Sequence, residues 1–83
     1  MASHGNSFDS LEDAAVANWP AAAHPRVLSV AVAGDRAEVV IEVEPNYPYW
    51  VYCVRRDGRW REIVSGNGPT VGWDDPNVID WDA

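Results

Sequence analysis

Two dipeptides that turn a chain back on itself, Gly34-Asp35 and Asp57-Gly58, each lie between two runs rich in β-forming residues. Gly and Asp tolerate positive backbone dihedrals, so such pairs are strong hairpin signals. The first hairpin joins Val27 to Ala33 with Ala37 to Val43. A two-residue loop that starts with Gly suits a type II′ or I′ turn. It sets Val32 against Ala37, Val30 against Val39 and Leu28 against Ile41. That face is apolar throughout, while the other face of the second strand carries Glu38, Val40 and Glu42. A slip of one residue would bury the glutamates, so the alternation specifies the register.

The second hairpin runs from Tyr49 to Arg55 and from Arg59 to Val64. Two registers compete. Asp57-Gly58 as a two-residue loop pairs Arg55 with Trp60, whereas a three-residue loop with Gly58 left-handed pairs Val54 with Trp60 and Trp50 with Val64. The second is preferred, because it gathers Trp50, Tyr52, Val54, Trp60 and Val64 on one face with Glu62 beside Tyr52. Val51, Cys53, Arg55, Arg59, Arg61 and Ile63 then share the other face. Glu44 to Pro48, with two prolines, is expected to break the sheet between the hairpins.

Ahead of the hairpins, Phe8, Leu11, Ala15 and Trp19 fall on one helical face. Ser7 or Ser10 can cap that helix; Ser10 with Asp13 is an imperfect capping box, and Pro20 ends the helix or kinks it. Residues 1–6 are expected to be disordered, residues 7–73 to form one domain, and residues 74–83 to be an acidic tail. Thr70 to Trp73 suits a short edge strand. The order of elements predicts an α+β fold: one N-terminal helix packed on a four-stranded antiparallel sheet made of two consecutive hairpins, with an irregular acidic C-terminal tail.

A chain of 83 residues buries a marginal core. Cys53 is its single cysteine, so no intrachain disulfide supports it. The five tryptophans, or a homodimer, must supply the stability. The start of the chain shows no secretory signal, and Val27 to Ala33 is far too short to cross a bilayer, so a cytoplasmic location is expected. A net charge of −7 argues against nucleic acid and anionic membranes as partners.

The Arg-Asp-Gly-Arg-Trp turn between hydrophobic strands resembles the closing hairpin of NTF2-like (SnoaL-type) proteins, and Gly34 to Ala37 is similar to the turn of their preceding strand pair. The likeness covers Val27 to Val64. It implies a small enzyme, such as an isomerase, cyclase or hydratase, acting on an apolar metabolite in a conical pocket. The family uses about three helices for that pocket where this chain has one short N-terminal helix, so another subunit would have to complete it. No catalytic position of the family carries over.

The residues themselves point to binding. Tyr47, Tyr49, Trp50, Tyr52 and Trp60 offer either an aromatic docking surface or core. Arg55, Arg56, Arg59 and Arg61 offer either an anion-binding tip or ordinary pairing with Glu38, Glu42, Glu44 and Glu62. His24, Tyr52 and Glu62 are the weak catalytic candidates, with His24 as a general base. Cys53, mid-strand, is an inert thiol rather than a nucleophile. The two histidines are too far apart for zinc, and the tail aspartates lack calcium-loop spacing, so no metal and no cofactor is expected. Trp73 and Trp81 either dock on the sheet or wait for a partner. The reading that follows is a small non-enzymatic binding or interaction module, self-associating or bound to another protein through the second hairpin. The alternatives are the NTF2-like enzyme, with its small apolar ligand, and an acidic inhibitor or immunity-type protein.

Overall fold

A computed structural model describes residues 7–44 and 47–82. It is an α+β fold in which helix α1 (Leu11–Val16) packs on an antiparallel sheet of β1 (Arg26–Ala33), β2 (Arg36–Glu44), β3 (Tyr47–Arg56) and β4 (Arg59–Gly66). The sheet order β1-β2-β3-β4 is a plain meander. The expected disorder of residues 1–6 lies outside the described residues.

The first turn places Gly34 at φ 64° and leaves Asp35 at negative φ, as a type II′ turn requires. Val32 pairs with Ala37 and Val30 with Val39. Beyond Ser29 the expectation fails. The register shifts between Val27 and Ser29, so Val27 rather than Leu28 opposes Ile41. Leu28 is the extra residue of a β-bulge, which keeps Val27 on the apolar face.

The second turn takes the register that was not preferred. Asp57 (φ 54°) and Gly58 (φ 77°) both adopt left-handed conformations, which is a two-residue type I′ turn. Arg55 therefore opposes Trp60, and Cys53 opposes Glu62. Trp60 and Glu62 thus lie on the helix face, not beside Tyr52. A register shift between Tyr52 and Cys53 then makes Ile63 the extra residue and sets Tyr52 against Val64. Arg59 and Arg61 pair with Arg56 and Val54, which puts them on the Tyr52 face. The physical reason is local: Asp accepts the left-handed region at small cost, and the primed turn matches the strand twist.

Tyr47 and Pro48 also extend β3 instead of breaking the sheet, with Pro48 opposite Glu42. In β3 the even-numbered residues turn their amides toward β4, and β4 ends at Gly66 opposite Trp50. The missing N–H of Pro48 therefore faces beyond the end of β4, where no ladder bond is lost.

Two cores sit on opposite faces of the sheet. On one, Leu11, Ala14 and Ala15 of α1 cover Ala37, Val39, Ile41, Val51, Cys53 and Trp60. Ser10 caps the helix by accepting from the Asp13 amide. A six-residue helix has little stability of its own and depends on this contact. Phe8 is not part of the helix and Trp19 follows it, yet both pack against the same core. Pro20 restricts Trp19 to non-helical conformations, which agrees with the early end of α1. On the other face, Tyr52, Val54 and Trp81 are buried, with Trp50, Ile63, Trp73 and Ile79 around them. Residues 70–73, expected as an edge strand, form a turn closed by the Trp73 amide and the Thr70 carbonyl. From there the chain crosses the sheet, bringing Trp73 and Trp81 onto Tyr52 at ring distances of 6.2 and 6.4 Å.

Candidate interaction surface

The aromatic residues singled out in the second hairpin are largely structural. Tyr52 and Trp60 are buried on opposite faces, Trp50 and Tyr49 are half-buried, and Tyr49 stacks obliquely on Trp19 at 5.5 Å. Tyr47 alone of the set is well exposed, at 58 %. The Tyr52 hydroxyl donates to Glu38 Oε2 at 2.7 Å and accepts from the Thr70 amide at 2.7 Å. Burial, opposed by the Thr70 bond and assisted by Glu38, pushes its pKa up.

The hairpin arginines fasten flanking segments instead of presenting a cationic tip. Arg55 reaches Asp35 at 3.2 Å and lies 5.2 Å from the Trp60 ring centre. Arg56 bonds Asp82 at 2.8 Å. Arg59 bonds Asp9 at 2.7 Å, Ser7 Oγ at 2.9 Å and the Ser7 carbonyl at 2.7 Å. Arg61 is likewise engaged. The carboxylates that Arg55, Arg56 and Arg59 bond are aspartates from the first turn and from both ends of the chain, not the strand glutamates expected. These pairs are exposed, so each contributes little on its own.

His24, Tyr52 and Glu62 are not brought together. His24 is exposed at φ 49° in the turn before β1, Tyr52 faces the C-terminal segment, and Glu62 accepts from Asn18 on the helix face at 2.8 Å. Cys53 is buried, and desolvation together with nearby Glu62 pushes its thiol up to about 12, which makes it a poor nucleophile. Among the described residues no group of three His, Cys, Asp or Glu side chains could hold a metal ion. No helix among them is long and apolar enough to cross a membrane.

Two surface depressions are open ones. One, about 780 Å³, lies over Arg36, Arg56 and the Pro76–Asp82 segment. Its arginines are already occupied: Arg36 donates to the Asp74 carbonyl at 2.7 Å and lies 5.9 Å from the Trp81 ring centre, while Arg56 holds Asp82. A second, about 430 Å³, is an open apolar dip over Ile63, Val64 and Ile79.

The unsatisfied surface is at the opposite end of the sheet. The two outer strands are treated differently. At β4, Phe8 and Trp60 exchange backbone bonds of 2.8 Å each way, so the N-terminal segment closes that edge. At β1 nothing among the described residues pairs with the outer edge. Val27, Leu28, Val30 and Val32 are 37, 49, 41 and 57 % exposed. Val27 to Ala33 is apolar apart from Ser29, and its place at the end of the meander leaves it open. The chain matches no protein-family model, and no curated protein or solved structure is detectably similar to it. The likeness to NTF2-like hairpins accordingly rests on the two turns alone.

Proposed function

We propose that this chain is a non-enzymatic protein-interaction module that docks by adding a strand to its open β1 edge. The observation that carries this reading is the asymmetry of the sheet: β4 is closed by Phe8, while the eight-residue β1 offers an apolar edge with no partner among the described residues. Long apolar edges invite pairing, and proteins normally blunt them with Lys, Pro or an inward charge. Val27 to Ala33 carries none of these. The bulge at Leu28 is a partial safeguard, but it lies toward the Arg26 end and leaves Ser29 to Ala33 regular. The docking surface is thus displaced from the Tyr47–Trp60 hairpin, whose aromatics serve the two cores.

The test is a photo-reactive residue placed at Ser29 on β1, with Val71, 90 % exposed in a distant loop, as the control. A discrete cross-linked adduct from position 29 and none from position 71 is expected. No adduct from position 29, or the same adducts from both, would overturn the reading.

A further inference from the structure

We infer that Asn67-Gly68 is a site of spontaneous covalent modification, at which the chain converts Asn67 to isoaspartate through a cyclic imide and so loosens the C-terminal segment from the Tyr52 face. The inference does not depend on the β1 edge.

The reaction asks for an asparagine followed by a residue without a side chain, in exposed backbone with room to bend. Asn67-Gly68 is the one Asn-Gly pair in the sequence. Both residues are exposed and lie past the end of β4, in no helix or strand. A methyl group added at Gly68 would meet nothing within 4 Å. Among the described residues no hydrogen bond holds the Asn67 side chain.

Neighbouring candidates lack this combination. Asn18 donates to Glu62 at 2.8 Å and precedes bulky Trp19. Asn77 precedes β-branched Val78, and its backbone amide is tied to Asp75 Oδ1 at 2.9 Å. Asp57-Gly58 has the right second residue. Its type I′ turn, however, fixes both residues at positive φ, and a carboxylate is a weaker acyl group than an amide.

The atoms balance without an oxidant or a reductant. The Gly68 backbone nitrogen attacks Asn67 Cγ. The N–Cγ bond forms, the Cγ–Nδ2 bond breaks, and ammonia leaves with the Gly68 amide proton. Water then opens the imide at one of its two carbonyls. Opening at the Asn67 backbone carbonyl leaves the chain running through Cγ, which is isoaspartate; opening at Cγ gives aspartate. Either product adds one negative charge to a chain that already carries −7.

The position of the site gives the change its consequence. Isoaspartate lengthens the backbone by one carbon just before Thr70, whose amide donates to the Tyr52 hydroxyl at 2.7 Å. That bond starts the segment that sets Trp73 and Trp81 on Tyr52. The further polar ties of the segment include Arg36 to the Asp74 carbonyl and the exposed Arg56–Asp82 pair. The Trp81 Nε1–H finds no partner among the described residues. A seat with so little polar redundancy shifts when its first tie moves.

The experiment incubates the full chain in warm, mildly alkaline buffer made with heavy-oxygen water, and maps its peptides by mass spectrometry. Position 67 should convert first, take up one heavy oxygen and give mainly isoaspartate. Gly68→Ala should slow the conversion severalfold and remain folded, since Gly68 is not at positive φ and has the space. Isoaspartyl chains, separated by their extra charge, should lose near-ultraviolet tryptophan dichroism and exchange the Thr70 amide severalfold faster than fresh chains. Asn67→Asp carries the charge without the extra backbone atom and should match fresh chains. Conversion at Asn18 or Asn77 ahead of Asn67, or none at Asn67, would overturn the site. An isoaspartyl chain whose Thr70 amide is as protected as before would overturn the loosening. An Asn67→Asp chain that loosens equally would overturn the backbone account.

Discussion

Phe8 and Trp60 form a two-bond backbone bridge, each bond 2.8 Å, on the outer side of β4. Trp60 also carries the largest buried side chain under α1, so one residue joins the edge seal to the helix core. Phe8→Ala keeps the bridge and removes the packing; a loss of about 1–2 kcal/mol is expected for a half-buried aromatic ring. Phe8→Pro also removes one bridge donor and should cost about 1 kcal/mol more. Urea unfolding of the two variants checks the difference. Equal losses would mean that the bridge contributes nothing.

Trp81 tests whether the C-terminal segment belongs to the fold. It is buried against Tyr52 and Val54 and meets Trp73 edge-on at 6.4 Å. Its Nε1–H has no hydrogen-bond partner among the described residues, so its contribution comes from burial and ring contacts. Trp81→Ala is expected to cost about 3–5 kcal/mol, which for a small domain is a large part of its stability. The check is thermal unfolding followed by near-ultraviolet circular dichroism. A melting temperature that hardly moved would show that the segment is dispensable.

Cys53 gives a pH dependence of known sign. Its thiol rises from an ordinary 9.0 to about 12 in the fold. The folded state holds its proton more tightly, so this contribution is complete below pH 9 and is lost as pH rises from 9 toward 12. Tyr52, raised from 10.0 by burial, acts in the same direction above pH 10. Urea midpoints between pH 8 and 11 should therefore fall, and Cys53→Ser should flatten the fall. At pH 8 a thiol-specific reagent should react with Cys53 only on unfolding. Rapid labelling of the native chain would contradict the burial.

The hairpins were legible because turn chemistry and period-two alternation are local properties. Gly34-Asp35 and the pairs Val32–Ala37 and Val30–Val39 follow from them directly. The bulges at Leu28 and Ile63 leave no such local mark, and they decide which side chains share a face. Asp57-Gly58 fits two loop lengths by sequence, the aromatic pattern favours the longer, and Trp60 changes face between them. Trp73 and Trp81 could not be placed because their partner, Tyr52, is remote in sequence. The candidate site suffered most. Aromatic residues look alike in a core and at a docking surface, and in the second hairpin only their burial separates the two. The exposure of Val30 and Val32 depends on strand order, which the local alternation does not carry.

Hydrogen exchange at the Val30 and Val32 amides, followed in the dilute chain, addresses the open β1 edge most directly. Both amides face outward with no partner among the described residues, while the Trp60 amide is bonded to Phe8. Val30 and Val32 should exchange quickly and Trp60 slowly. Slow exchange of both valine amides in the dilute chain, or exchange of Trp60 as fast as theirs, would contradict an edge that is open to a second strand.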